Sequence, residues 1–289
     1  MRLLVLKNIL VLIILSGTWT TALCQNYVPS RDDVSAFLNT KTMVVLDNNP
    51  MSMYNSWIKE AVEQNWTVTE YEFIPFSDFD KYMNDPSLSF LMTTDVFFDR
   101  DKSKARYKFL NLLLGGSARK IGDMPDLCPV PLAYLNADED NYLYKLGVFV
   151  RFIQNHISLL QKDPKLYSSN VFKYYNDNLT SGVKDKVLYV LQHELTSEVD
   201  TKEKIENYYP GRVEIVTREQ MDQAISNKDQ DVIFLHKVGP EGTRLKARCY
   251  KVLIGAGDAN FYFFDHHMIK MPKRPDGILA TDFKRLARN

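Results

Sequence analysis

One order of elements occurs twice in this chain, and that repeat limits the folds open to it more than any other feature. From Lys186 to Met271 the sequence reads KVLYVL, a helical stretch around Thr201 to Tyr209, RVEIVT, REQMDQAISN, DVIFLHKV and CYKVLIGAGDANFYFFDHHMIKM. The apolar runs are short and rich in Val, Ile, Tyr and Phe, as strands are. The segments between them space apolar residues such as Met221 and Ile225 as helices do. The order is strand, helix, strand, helix and three strands. Upstream, MVVLD from Met43 opens the same series. It continues with a helix over Tyr54 to Gln64 whose apolar face is Trp57, Ile58, Ala61 and Val62, then TVTEYEF, SDFDKYMND, LSFLMT, YKFLNLLLGG and VPLAYL. The closest local echo pairs KARYKFLNLLLGG (Lys104 to Gly116) with KARCYKVLIGAGD (Lys246 to Asp258). Such self-similarity has to be recognised before any fold is assigned. The expected architecture is α/β (α+β): two tandem βαβαβββ-type modules, each a mixed sheet with helices packed on it.

The ends and the junction follow from composition. Arg2 and Lys7 precede a short apolar run, Ile9 to Leu15, which gives way to Ser, Gly and Thr residues before TALCQ. A membrane span needs roughly 20 apolar residues, so residues 1–24 read as a signal peptide, and the protein is not expected to be integral to the membrane. Cleavage after Cys24 is preferred to lipidation of Cys24, because Leu23 is bulkier than the residue lipoproteins carry before their cysteine. Either way the folded part is expected to be exported, periplasmic or secreted. The first module is assigned to 25–179 and the second to 180–289, 155 and 110 residues, each large enough for its own core. Ser30 is placed to cap a short opening helix.

Between the modules, Leu143, Leu146, Val150, Ile153, Ile157 and Leu160 recur at steps of three and four, which predicts a helix of about five turns. Asp163–Pro164 ends it. Its stripe, widened by Tyr142, Phe149 and Phe152, is expected to pack on its own sheet and against the second module; the alternative is a surface for a partner or a second copy. The segment after it reads as a linker, part of which is expected to pack through Val171, Phe172, Tyr174 and Tyr175. Asn65 in NWT and Asn178 in NLT would accept glycans in a eukaryotic secretory pathway.

Charge and cysteines narrow the function. The chain has 36 basic and 36 acidic residues; removing Arg2 and Lys7 from the 36 leaves 34 basic against 36 acidic. That balance argues against nucleic acid, whose binding domains usually have a pI above about 9. After cleavage only Cys128 and Cys249 remain, and both read as buried small apolar residues rather than a disulfide.

The second module resembles the small α/β domain found at the N-terminus of TolB, in CsgG and in LpoB. A strand runs into an Arg-Glu pair at a helix start, here Arg218–Glu219, and the next strand leads to a hairpin whose turn carries a glycine, here Gly257. Gly239 falls later in its strand than the family pattern has it, and neither propeller repeats nor membrane hairpins follow. The resemblance implies a periplasmic, non-catalytic domain that binds other envelope proteins.

Residues that would carry chemistry are few. Asp47 follows the first strand, where α/β proteins often place ligand contacts. His193 follows the matching strand of the second module, and Asp265-His266-His267 ends an aromatic strand. With His193 or His236 the histidine pair would suggest a metal site, but neighbours on a strand point to opposite faces, so no metal or other cofactor is expected. Gly255-Ala256-Gly257-Asp258 sits between two strands and reads as a hairpin turn rather than a phosphate loop. MPKRPDG, from Met271, is a small basic segment suited to an acidic partner. The function these features favour is a non-catalytic exported binding or scaffold protein, an accessory part of a cell-envelope assembly. It would hold envelope or periplasmic proteins through sheet edges, the long helix or the groove between the modules. The alternative is an exported hydrolase, using Asp47 with His193 or His266 across the interface, or a small-ligand binder with its site there.

Overall fold

The computed structural model describes residues 27–98, 105–168, 171–177, 179, 183–241 and 246–287. The signal-peptide reading of 1–24 and the second glycan acceptor, Asn178, fall outside these residues.

The chain opens with α1 (Arg31–Phe37), which starts at a capping box: Ser30 accepts from the backbone N–H of Asp33, and the Asp33 carboxylate accepts from that of Ser30. Next come β1 (Lys41–Leu46), α2 (Met53–Asn65), β2 (Tyr71–Pro75), α3 (Phe79–Tyr82), β3 (Leu88–Phe97), β4 (Arg106–Leu114) and β5 (Val130–Tyr134). They form one sheet in the order β2-β1-β3-β4-β5. β1 lies parallel to β2 and β3, whereas β3–β4 and β4–β5 are antiparallel. Strand alternation feeds both faces. Val44 and Leu91 meet α2 through Ile58 and Val62, while Met43, Val45, Phe90 and Met92 meet Phe79 and Met83 on the opposite face.

After α4 (Leu146–Lys162) and α5 (Val171–Asp177) the series repeats as β6 (Val187–Leu191), α6 (Lys202–Glu206), β7 (Arg212–Val216), α7 (Arg218–Ser226), β8 (Val232–Val238), β9 (Arg248–Gly255) and β10 (Phe261–Met268), with α8 (Ala280–Leu286) closing the described chain. The second sheet has the order β10-β9-β8-β6-β7. Read from the other edge, this is the order of the first, with the same parallel and antiparallel pairs. The duplicated α/β architecture is therefore present in full, each mixed sheet having five strands.

One hydrophobic core runs through both modules, from Val34 to Ile269. α4 lies at its centre. On one side Gln154 holds the end of α2, accepting from the Thr67 N–H at 2.7 Å and donating to the Asn65 carbonyl at 2.7 Å. On the other, Phe152 stacks on Phe261 with centroids 3.4 Å apart and Phe149 meets the His236 ring edge-on at 4.9 Å. The Arg151 guanidinium donates to the carbonyls of Ala256 and Gly257, and Asn155 donates to that of Asp258. The β9–β10 hairpin turn is thus anchored by α4. The two stretches that echo each other in sequence also touch: the Tyr107 hydroxyl accepts from the Arg248 N–H at 2.6 Å, donates to its carbonyl at 3.0 Å, and its ring meets Tyr250.

The segment after α4 packs more than a linker would. Asn176 of α5 pairs its amide with both backbone groups of Phe264 on edge strand β10, at 2.7 and 2.8 Å. It acts as one residue of an added strand and occupies that part of the edge. Tyr175 reaches the core, where its ring lies near Phe152 and Phe261. Cys128 and Cys249 are both free and buried; burial lifts the Cys249 thiol to about 12 and that of Cys128 well above its usual value. The Asn65 side chain turns back to donate to the Ala61 carbonyl.

His156 of α4 has its Nδ1 2.6 Å from the Tyr175 hydroxyl, and burial pushes its pKa down from 6.5 to about 4 despite a backbone bond to Leu127. The folded chain keeps the ring neutral over a range where the unfolded chain takes up a proton. His156 therefore contributes stability above pH 6.5 that is lost as pH falls from 6.5 toward 4, on the order of 1.4 kcal/mol per pH unit. Over that range the urea midpoint of the native protein should fall more steeply than that of His156→Gln. Parallel pH profiles would contradict this role.

Candidate functional site

Ligands of open α/β sheets sit beyond the carboxyl ends of the parallel strands. Because the architecture is duplicated, this chain has two such places, and they differ. At the end of β1, beside Met92 and Thr93 of β3, a recess of ≈190 Å³ is lined by residues that also include Leu46, Asp47, Asn48, Tyr54 and Phe76. The loop after β1 is held by the buried amide of Asn55, which accepts from the Asp47 N–H at 2.7 Å and donates to the carbonyls of Asp47 and Asn49. Asn48 accepts from the Ser77 N–H, tying this loop to the end of β2. The Asp47 carboxylate accepts from the Asn49 N–H at 2.9 Å, so it serves the turn. Around this recess the chain exposes apolar surface. Met51 is 85% exposed, and Met53 and Phe76 are each 44% exposed.

The matching place in the second module is filled by charge. β6 runs into a 3-10 turn, Gln192–Glu194, and β8 ends in His236-Lys237-Val238. Another 3-10 turn, Leu143–Lys145, enters α4 and brings in Tyr144 and Lys145. The Lys145 ammonium is only 1% exposed and donates to His236 Nδ1 at 3.3 Å, while His236 Nε2 lies 3.2 Å from the Pro131 carbonyl. Burial opposes the charge of Lys145, but Tyr144 and Glu194 outweigh it and hold its pKa above the usual value. Burial and the lysine keep His236 well below its usual value, hence neutral. Burial raises the Glu194 carboxyl even though Lys145 and Lys237 pull it down.

On the opposite face of the second sheet, Lys237 pairs with Asp276 at 2.8 Å and Lys251 with Asp282 at 3.0 Å, all four deeply buried. Lys251 also meets His267 Nδ1, whose ring donates from Nε2 to the Pro275 carbonyl at 2.8 Å. Burial and Lys251 push His267 down to about 4. A side chain at Gly239 would strike the Asp276 carboxylate at 2.0 Å, so this pair requires glycine there. Four buried polar atoms, Tyr144 Oη, Glu194 Oε2, Arg218 Nε and Asp276 Oδ1, have no hydrogen-bond partner among the described residues. Incomplete pairing of this kind makes the cluster sensitive to losing any member.

A second recess, of ≈260 Å³, opens between β10 and α8; His266, Arg274, Thr281, Lys284 and Arg285 are among its lining residues. The residues expected to carry chemistry are spread over these places. Asp47 lines the recess of the first module and His266 that of the second, and the two share no lining residue. His193 is exposed on the turn after β6. His266 is exposed with its ring near Tyr250, whereas His267 is buried on the other face, as strand alternation requires. His236 is enclosed by Lys145 and Phe149. Among the described residues no three His, Cys, Asp or Glu side chains come together as a metal site. The space between the modules, expected as a possible groove, is occupied by α4 where Phe152 and Arg151 meet the second module.

The buried cluster of Lys145, Glu194, Lys237, Lys251, Asp276 and Asp282 was missed by sequence reasoning. Its one legible sign was a lysine inside each of two largely apolar strands, VIFLHKV and CYKVLIG, the first also carrying His236. Comparison with family models, with curated proteins and with solved structures yields no match to this chain.

Replacing Lys145 by Met should destabilise the fold by about 3–5 kcal/mol, because it leaves His236 Nδ1 buried without its donor and removes one of the two lysines whose charge offsets that of Glu194. Adding Glu194→Gln should recover about 1–2 kcal/mol of that loss. Urea unfolding of the single and double variants checks both; an unchanged midpoint for Lys145→Met would contradict the account.

Proposed function

We propose that this chain is an exported, non-catalytic binding protein, an accessory part of a cell-envelope assembly, and that the end of its first sheet meets the partner. The observation that carries this reading is the exposure of Met51 and Met53, which follow β1 in the chain, together with that of Phe76 in the wall of the recess after β1. Large apolar side chains left in water suit an interaction site, and methionine adapts its shape to a partner. The loop beneath them is held by Asn55, so the surface is presented on a fixed support. The charged n-region and apolar run of residues 1–24 support export. The likeness to the TolB N-terminal, CsgG and LpoB domain supports the envelope. In that likeness the Arg218–Glu219 pair falls in the first turn of α7, within the Thr217–Gln220 capping box.

The test compares the tagged, exported protein with a Met51→Asp, Met53→Asp variant, crosslinked in its native envelope and analysed by mass spectrometry. Acidic residues are favoured near the start of α2, so the variant should keep its fold, which circular dichroism checks. One or two envelope proteins should be recovered with the native chain and about tenfold less with the variant. Equal recovery from both, or none from the native chain, would overturn the reading.

A further inference from the structure

The chain as a whole balances its charges, but the surface of its closing segment does not. Between His266 and Ala287 the only carboxylates are Asp276 and Asp282, and both are buried against Lys237 and Lys251. The cations of the same stretch, Lys270, Lys273, Arg274, Lys284 and Arg285, are all exposed. Arg285 pairs with Asp265. Lys270, Lys273, Arg274 and Lys284 have no carboxylate partner among the described residues. Local acids are thus used inside the fold, and the neighbouring cations face outward without them.

Three of these cations, Arg274, Lys284 and Arg285, form part of the wall of the ≈260 Å³ recess between β10 and α8. Their support is fixed. Lys270 and Arg274 exchange both backbone hydrogen bonds at 2.8 Å, which closes the loop carrying Lys273. Lys284 stands over the Tyr208 ring at 4.9 Å. The wall also contains Asp265 and Asp282, each already engaged by a cation, and the Thr281 side chain adds a hydroxyl. Met268 and Met271, 40% and 50% exposed, flank the loop.

We infer that this recess is a docking site for an acidic segment of a partner protein, with one Asp or Glu side chain entering between Arg274 and Lys284 and further carboxylates meeting Lys270 and Lys273. Two features select this occupant. The arginine fork matches a carboxylate with two parallel hydrogen bonds, and a recess shields the pairing from water more than an open surface does. A lipid surface, being flat, would meet the lysine tips and leave the recess unfilled. The site belongs to the second module and stands whether or not the apolar surface of the first binds a partner.

The test uses the full exported chain and a fluorescent peptide of alternating Glu and Ser, with a matched peptide carrying Gln for Glu. Two variants remove equal charge: Lys270→Gln, Arg274→Gln, Lys284→Gln at the site, and Lys162→Gln, Lys165→Gln, Lys184→Gln at exposed positions elsewhere. The acidic peptide should bind the native chain in preference to its Gln counterpart. Its affinity should fall about tenfold or more in the site variant, stay within about twofold in the other, and weaken with salt. No preference for the acidic peptide, or equal losses in the two variants, would overturn the inference. So would binding to phosphatidylglycerol vesicles that needs the same three cations while the peptide does not bind; that result would assign the surface to lipid.

Discussion

The structure depends on one helix buried from two sides. α4 offers Ile153, Ile157 and Leu160, each 1% exposed or less, to a core that continues into both modules. A helix lying on a single sheet would leave its outer half to water; here Phe152 and Phe149 fill that half and end against Phe261 and His236. Burying each such side chain contributes roughly 1.5–3 kcal/mol. The polar side chains on the same face, Arg151 and Asn155, find backbone carbonyls of the β9–β10 turn, so the contact is directional as well as apolar. The two copies of the fold thereby share one interior.

Duplication set two equivalent strand ends, and the joining segment treated them differently. The turn that leads into α4 places Lys145 at the end of the second sheet, where Glu194 and His236 surround it. Buried charge is costly unless it is paired, so this end is committed to structure. The first sheet has no such insertion. Its strand ends keep a recess, a loop fixed by Asn55 and apolar side chains directed outward. The two copies thus differ at their strand ends, one closed by buried charge and the other left open, because of where a single linking segment packs.

Much of this architecture was legible because periodicity reports burial directly. The short β-branched runs, the three- and four-residue steps of α4 and the break at Asp163–Pro164 all correspond to elements with nearly those bounds. The opposite facing of His266 and His267 was legible from strand alternation. The ion pairs were not. Lys251 with Asp282, and Lys237 with Asp276, join residues 31 and 39 positions apart in the chain, and composition records only that lysines and aspartates exist. The packing of α5 was half legible. Tyr174 and Tyr175 signalled burial, but the pairing of Asn176 with Phe264 depends on an edge strand whose position only the fold defines. Asp47 was placed correctly at a strand end, yet its turn-forming bond to Asn49 is a local matter that position alone does not reveal.

If α4 makes the two modules one structure, they must unfold together. Differential scanning calorimetry of a chain spanning residues 25–289 tests this most directly. A shared core predicts one endotherm whose calorimetric enthalpy equals its van't Hoff enthalpy, the mark of a two-state unit. Two separable endotherms, or one whose van't Hoff enthalpy is about half the calorimetric value, would mean that each sheet keeps its own core and that α4 belongs to only one of them.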